Sequence, residues 1–125
     1  MEIYESGEMY LETILELQKQ QGNVRSVDIV NAMGHAKSSV SEGIKQLAEG
    51  GYVNINEFGY ITFTEKGNKL ANIILERHIV LSNYFQKIGV SKETADKDAC
   101  RIEHIISDET FEKIKEHAKL HYHKQ

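Results

Sequence analysis

Cys100, Glu103 and His104 fall at i, i+3 and i+4 in the stretch DKDACRIEHIISDE. On a helix that spacing carries a thiol, a carboxylate and an imidazole toward one point. Asp96 extends the same face at i−4 from Cys100. Near the start of the chain, Met9 and Glu12 stand three residues apart and add a thioether and a second carboxylate. Sulfur, nitrogen and oxygen donors together suit a borderline divalent transition metal, whereas calcium and magnesium prefer all-oxygen shells. Each piece taken alone has a plainer reading. The triplet is then a solvated or core-edge patch, Cys100 a small buried hydrophobe, Met9 a core residue and His78 a surface histidine. Their joint occurrence on three segments that a compact fold can gather is what points to a metal.

Those donors need helices to hold them, and the pattern supplies several. Residues 7–21 (GEMYLETILELQKQQ) place Met9 or Tyr10, Thr13 or Ile14, and Leu17 at helical spacing before Gly22. SVDIVNAMG, residues 26–34, opens on a capping serine and closes on glycine. HAKSSVSEGIKQLAEGGYV then sets Val40, Ile44 and Leu47 at core spacing, with Gly50-Gly51 as the stop. Two short helices joined by a tight turn at Gly34 make a helix-turn-helix. YVNIN and YITFT, residues 52–56 and 60–64, alternate apolar with polar around a short turn at 57–59, the pattern of a β-hairpin. Thr64 caps a long helix from about Glu65 to Ile88 that carries Leu70, Ile73, Ile74, Leu81 and Phe85. Ser91 starts the helix of the Cys-Glu-His set, and Ser107 starts the last one, through about Leu120. The expected class is mainly α: a winged helix-turn-helix over 1–72, then an all-helical lobe over 73–125.

Helix, helix-turn-helix and hairpin wing in that order read as a DNA-binding module. The second helix of the turn motif enters the major groove by its N-terminus, here with Lys37, Ser38, Ser39, Ser41 and Glu42. Hydroxyls and backbone N–H groups at a helix start favour phosphates and base edges, although the serines equally well cap the helix. Lys45 and Arg25 are candidate phosphate contacts. Glu42 opposes phosphate unless it accepts from a cytosine amino group. The net charge of −4 sits oddly with a DNA binder until it is located. Residues 24–72 carry five Lys/Arg against five Asp/Glu, and residues 73–125 nine of each. The whole acidic excess lies in residues 1–23, beside Met9 and Glu12.

The remaining composition excludes several classes. With 125 residues the chain holds one domain or two small lobes. No apolar run approaches the ~20 residues a membrane span needs, and MEIYESGEMY lacks the order of a signal peptide. One cysteine and no export signal indicate a cytoplasmic protein without intramolecular disulfides.

The segments EMYLETILEL, SSVSEGIKQLAEGGYV, TFTEKGNKLA, LERH and ACRIEHIISDE, in order and spanning nearly the whole chain, resemble the diphtheria-toxin-repressor family of metal-dependent transcriptional repressors. The resemblance implies a winged helix, a helical dimerisation lobe, and metal held between the first helix and the dimerisation helices. Metal would favour the dimer geometry that fits operator DNA. Carried over by position, the main site maps to Met9, Cys100, Glu103 and His104. Met9 and Cys100 look like the iron-responsive branch, while Glu12 and His78 match ligand positions of the manganese-responsive branch. Ser82 and Asp96 stand where the iron branch has ancillary ligands, Glu42 departs at a DNA-contact position, and the SH3-like domain of longer members is absent.

The expectation is therefore a homodimeric repressor on double-stranded operator DNA, not an enzyme, with no small-molecule substrate and no membrane partner. Softness favours Fe²⁺ over Mn²⁺, with Co²⁺, Ni²⁺ or Zn²⁺ able to substitute in vitro. One rival keeps the DNA binding and makes oxidation of Cys100 the switch. A metalloenzyme lacks an obvious general base beside an open metal position, and a protein-binding winged helix needs no metal at all. The terminal HAKLHYHKQ, with His117, His121 and His123, reads as adventitious metal affinity at a chain end.

Overall fold

The computed structural model describes residues 5–122, with side chains from 6 to 119. Among them the order is α1 (Glu5–Gln21), α2 (Ser26–Met33), α3 (Lys37–Glu49), β1 (Val53–Ile55), β2 (Ile61–Phe63), α4 (Glu65–Lys87), α5 (Lys92–Ile102) and α6 (Asp108–Tyr122). The class is the expected one, mainly helical with a winged helix-turn-helix. The chain divides into two compact units after Asn72, within α4. No described helix is long and apolar enough to cross a membrane.

In the first unit α1 buries Tyr10, Leu11, Ile14 and Leu15. Leu17, expected on that face, is only half-buried. The stripe runs through both leucines because α1 packs on two neighbours, α2 and α3, at once. Helix α2 is not capped by Ser26. Arg25 is the N-cap residue, and the Asp28 carboxylate accepts from the Arg25 N–H at 2.8 Å. That places Ser26 inside the first turn, where its backbone is already helical. At the far end Gly34 takes φ +70° and donates its N–H to the Val30 carbonyl, a left-handed conformation a side chain would strain. Helix α3 buries Val40, Ile44 and Leu47, matching the spacing.

The wing pairs β1 with β2 antiparallel, Val53 opposite Phe63, Asn54 opposite Thr62 and Ile55 opposite Ile61. Its turn is closed by the Asn56 side chain, whose oxygen accepts from the N–H groups of Phe58 and Tyr60, each at 2.9 Å. The Ile61 N–H donates to the Val24 carbonyl at 2.7 Å and ties the wing to the segment between α1 and α2. Thr64 begins α4 as expected, its hydroxyl oxygen accepting from the Gly67 N–H at 3.0 Å. A Cβ on Gly67 would lie 1.8 Å from the Tyr52 carbonyl oxygen. Only glycine lets the first turn of α4 sit this close to the base of the wing.

In the second unit Leu81, Ala99 and Phe111 form a core, with Val80, Phe85, Ile102, Ile106 and Ile114 packed around it. Ile73, which spacing groups with the apolar residues of α4, is 45% exposed, whereas Ile74 and Leu81 are buried. The hydroxyl of Ser91 accepts from the Thr94 N–H at 3.3 Å, and that of Ser107 from the Thr110 N–H at 3.1 Å. Both serines cap the helices they were expected to start. The end of α5 differs from expectation. It stops at Ile102, with Glu103 as its C-cap residue and His104 in the following turn. Glu103 keeps helical backbone angles, and its N–H bonds the Ala99 carbonyl at 2.9 Å, so it follows Cys100 on the helical course into that turn.

Candidate functional site

The centre of the second unit's polar chemistry is Glu103, whose side chain has no solvent exposure. Helix α4 supplies His78, whose Nδ1 lies 2.8 Å from Glu103 Oε2. An ionised carboxylate only accepts, so a neutral His78 in this contact carries its proton on Nδ1 and leaves Nε2 as the acceptor. The α5–α6 turn supplies His104, buried, with Nε2 3.3 Å from Glu103 Oε1. Each carboxylate oxygen thus faces one imidazole. An ionised carboxylate out of water needs compensating positive charge or hydrogen bonds, and imidazoles with a carboxylate form a donor set that first-row divalent metals take readily. By its chemistry the set fits such an ion. Cys100, half-buried, sits in the last turn of α5.

The turn carrying Glu103 and His104 is held from α4 by Arg77. Its Nη1 donates to the carbonyls of Glu103 and Ile106, at 3.3 and 3.2 Å, and its Nη2 to the Asp108 carboxylate. The guanidinium also lies 5.4 Å from the centre of the Phe111 ring. Sequence reasoning missed this residue. Its neighbour His78 was visible as a donor, but partners 26 to 31 positions away leave no local signal.

Asp96 makes its hydrogen bonds to α4 and within its own helix. The buried Ser82 hydroxyl donates to Asp96 Oδ1, and Lys92 Nζ lies 3.4 Å from Oδ2. The Ser82 hydrogen bond, partly opposed by desolvation and aided by Lys92, holds the Asp96 carboxyl below its ordinary value of 3.8. Where the resemblance places ancillary ligands, this chain has instead a hydrogen bond between α4 and α5. His117 pairs its Nδ1 with the Tyr84 hydroxyl at 3.0 Å. His121 and His123 lie outside the described side chains.

Met9 and Glu12 are half-buried residues of α1, in the first unit. The same unit carries the expected DNA-reading residues. Lys37, Ser38, Ser39, Ser41, Glu42 and Lys45 are all exposed along α3. Ala36 is the N-cap residue, and no side chain caps this helix. The serines are thus not spent on capping, and their hydroxyls are open to solvent. Glu42 accepts from Gln46 Nε2 at 3.4 Å. Arg25 is exposed, its guanidinium 4.6 Å from the centre of the Tyr60 ring on the wing.

Comparison with known proteins gives the same division of labour. The family model described as iron dependent repressor, N-terminal DNA binding domain, matches residues 2–58. That of the iron dependent repressor metal binding and dimerisation domain matches residues 64–121. The transcriptional regulator MntR of Escherichia coli O6:H1 is 32% identical over 112 residues, covering 90% of this chain and 72% of that protein. An uncharacterized HTH-type transcriptional regulator of Methanocaldococcus jannaschii is 33% identical over 113 residues, covering 89% of this chain and 90% of its own length. Among solved structures, a manganese-dependent transcriptional repressor in complex with manganese superposes with a TM-score of 0.82 at 27% identity. That alignment covers 90% of this chain and 52% of the other, so the chain spans about half the length of that repressor. IdeR of T. acidophilum gives a TM-score of 0.74 at 27% identity, covering 94% of this chain and 55% of that one. Matched along both halves, the chain belongs to the iron-dependent repressor family of transcriptional regulators.

Proposed function

We propose that this protein is a homodimeric, metal-responsive repressor that binds double-stranded operator DNA and controls genes of metal homeostasis. The observation that carries the reading is the Glu103 carboxylate, excluded from solvent with an imidazole against each oxygen, within the segment matched by a metal-binding and dimerisation domain. His78, Glu103 and His104 are the proposed core of the ligand set, with Cys100 as a thiolate donor. Met9 and Glu12 enter the set from the family resemblance. His78, Glu103 and His104 would hold a dication there, and its positive charge would offset the Glu103 carboxylate that is kept from water. The exposed first turns of α3, with Arg25 and Lys45, contact DNA, the serines at base edges or phosphates and the cations at phosphates.

The resident ion in this reading is Fe²⁺ or Mn²⁺. The thioether and thiolate lean toward iron, while the imidazoles and carboxylates accept manganese, and several named relatives are manganese regulators. The test is anaerobic fluorescence anisotropy on the DNA upstream of its own gene. Fe²⁺, then Mn²⁺, then a chelator are titrated at fixed salt, because affinities at different salt are not comparable. Binding that rises with metal and falls with chelator is expected, and the two midpoints rank the ions. Tight binding indifferent to both would overturn the metal response and leave only the DNA module.

A further inference from the structure

We propose that Arg77 is a positioning residue for the metal centre, holding the Glu103–His104 turn in a ligating conformation. The inference rests on the metal-site reading above and adds a residue with no donor atom of its own to offer a cation. Helix α5 ends at Ile102, and the Glu103 N–H closes its last turn on the Ala99 carbonyl at 2.9 Å. Past that point one guanidinium takes the carbonyls of the turn. It bonds two carbonyls of the turn, Glu103 and Ile106, and reaches the first residue of α6, Asp108.

The three contacts do not weigh equally. Asp108 is 91% exposed, so its ion pair with Arg77 is solvated and weak. The Arg77 side chain is only 16% exposed, and its two carbonyl bonds are the ones a substitution cannot replace with water. They act on the backbone of Glu103 itself, while the side chain of Glu103 meets His78, the residue next to Arg77 on α4. The orientation of the carboxylate is thus set twice from one turn of α4, at the main chain by Arg77 and at the side chain by His78. Outer groups that orient ligands in this way change metal affinity by ~10- to 100-fold when removed.

The test uses the full chain with Co²⁺, whose visible d–d absorption reports both affinity and ligand geometry. Arg77→Met keeps much of the stem and removes every donor, whereas Arg77→Lys keeps the charge and one donor. In Arg77→Met, Co²⁺ affinity is expected to fall by ~10- to 100-fold with an altered absorption spectrum. Arg77→Lys should fall between that variant and wild type, and serves alone should Arg77→Met fail to fold. A purely structural role would lower the melting temperature of the metal-free protein and leave the Co²⁺ spectrum and dissociation constant of the folded protein unchanged. That outcome overturns the proposal. Wild-type protein that gives no d–d absorption at all overturns the metal centre itself, a failure distinct from that of Arg77.

Discussion

Substituting Glu103 tests the metal centre most directly, and burial dictates which substitution to use. Alanine is a poor probe. It would strip the partner from two imidazoles that sit 2.8 and 3.3 Å from the carboxylate oxygens. Removing one member of such a buried set costs ~3–5 kcal/mol, a large part of a typical ~5–15 kcal/mol total. Loss of function would then be indistinguishable from loss of fold. Glu103→Gln keeps the volume, retains one accepting oxygen for the protonated nitrogen of His78, and removes only the charge and one metal donor.

The size of the effect follows from sharing. Structural metal sites have apparent binding energies of ~10–16 kcal/mol over about four donors, or ~3 kcal/mol each. That is about a hundredfold in dissociation constant. Metal at a hundred times the wild-type dissociation constant stabilises the folded protein by ~2.7 kcal/mol, and a hundredfold weaker site leaves ~0.4 kcal/mol. For a chain of this size each kcal/mol moves the melting temperature by ~3–6 °C. Wild-type protein should thus gain about 8–16 °C on adding Mn²⁺ or Fe²⁺, and Glu103→Gln about 1–2 °C. Circular dichroism melts with and without metal read this out, with anisotropy on operator DNA following the same ranking. A Glu103→Gln protein that melts with the full wild-type metal shift would refute the assignment of this carboxylate as a ligand.

Gly67→Ala should destabilise the protein by at least ~2–3 kcal/mol, because the new methyl meets the Tyr52 backbone oxygen at 1.8 Å. A urea midpoint indistinguishable from wild type would contradict that close approach. Lys45→Ala should weaken binding to all duplex sequences alike and lower the salt slope of binding by about one, and an unaltered slope would remove Lys45 from the phosphate contacts. For Asp96 the sign is set by the Ser82 hydroxyl, which holds its carboxyl below 3.8 in the folded state. A depressed acid contributes stability above its unfolded value and loses it as pH falls through the lower folded value. The stability difference between wild type and Asp96→Asn should therefore be full near neutrality and vanish as pH drops below 3.8. Denaturant melts across that range check it, and a difference that persists at the most acid pH would rule out the charged carboxylate as its source.

What the sequence disclosed and what it hid divide along the range of the interactions. Helix α3 could be read because Val40, Ile44 and Leu47 follow one period and face one core. The wing could be read because the apolar Val53 and Ile61, both buried, flank a turn that Asn56 closes by itself, although Ile55 of the same pattern is exposed. Caps were legible where a serine or threonine bonds three residues ahead, as at Thr64, Ser91 and Ser107. At α2 the same rule misled, since Asp28 reaches back to the Arg25 N–H and moves the helix start away from Ser26.

The metal centre exposes the deeper limit. The regular helix that carries Cys100 stops at Ile102, although the Glu103 N–H still bonds the Ala99 carbonyl and the Ile106 N–H the Ile102 carbonyl. Nothing in DACRIEHIISDE announces that stop, for it holds neither glycine nor proline. The turn is stabilised from outside, by carbonyl bonds to an arginine 26 residues earlier. Its conformation is a property of two helices together, and a one-dimensional pattern contains only the local half. The same reasoning ranks the perturbations. Glu103→Gln removes a donor and leaves the turn in place, whereas Arg77→Met leaves every donor and frees the turn. If both weaken metal binding but only Arg77→Met speeds amide hydrogen exchange across residues 103–106 of the metal-free protein, ligation and positioning are separable functions of adjacent parts of one fold.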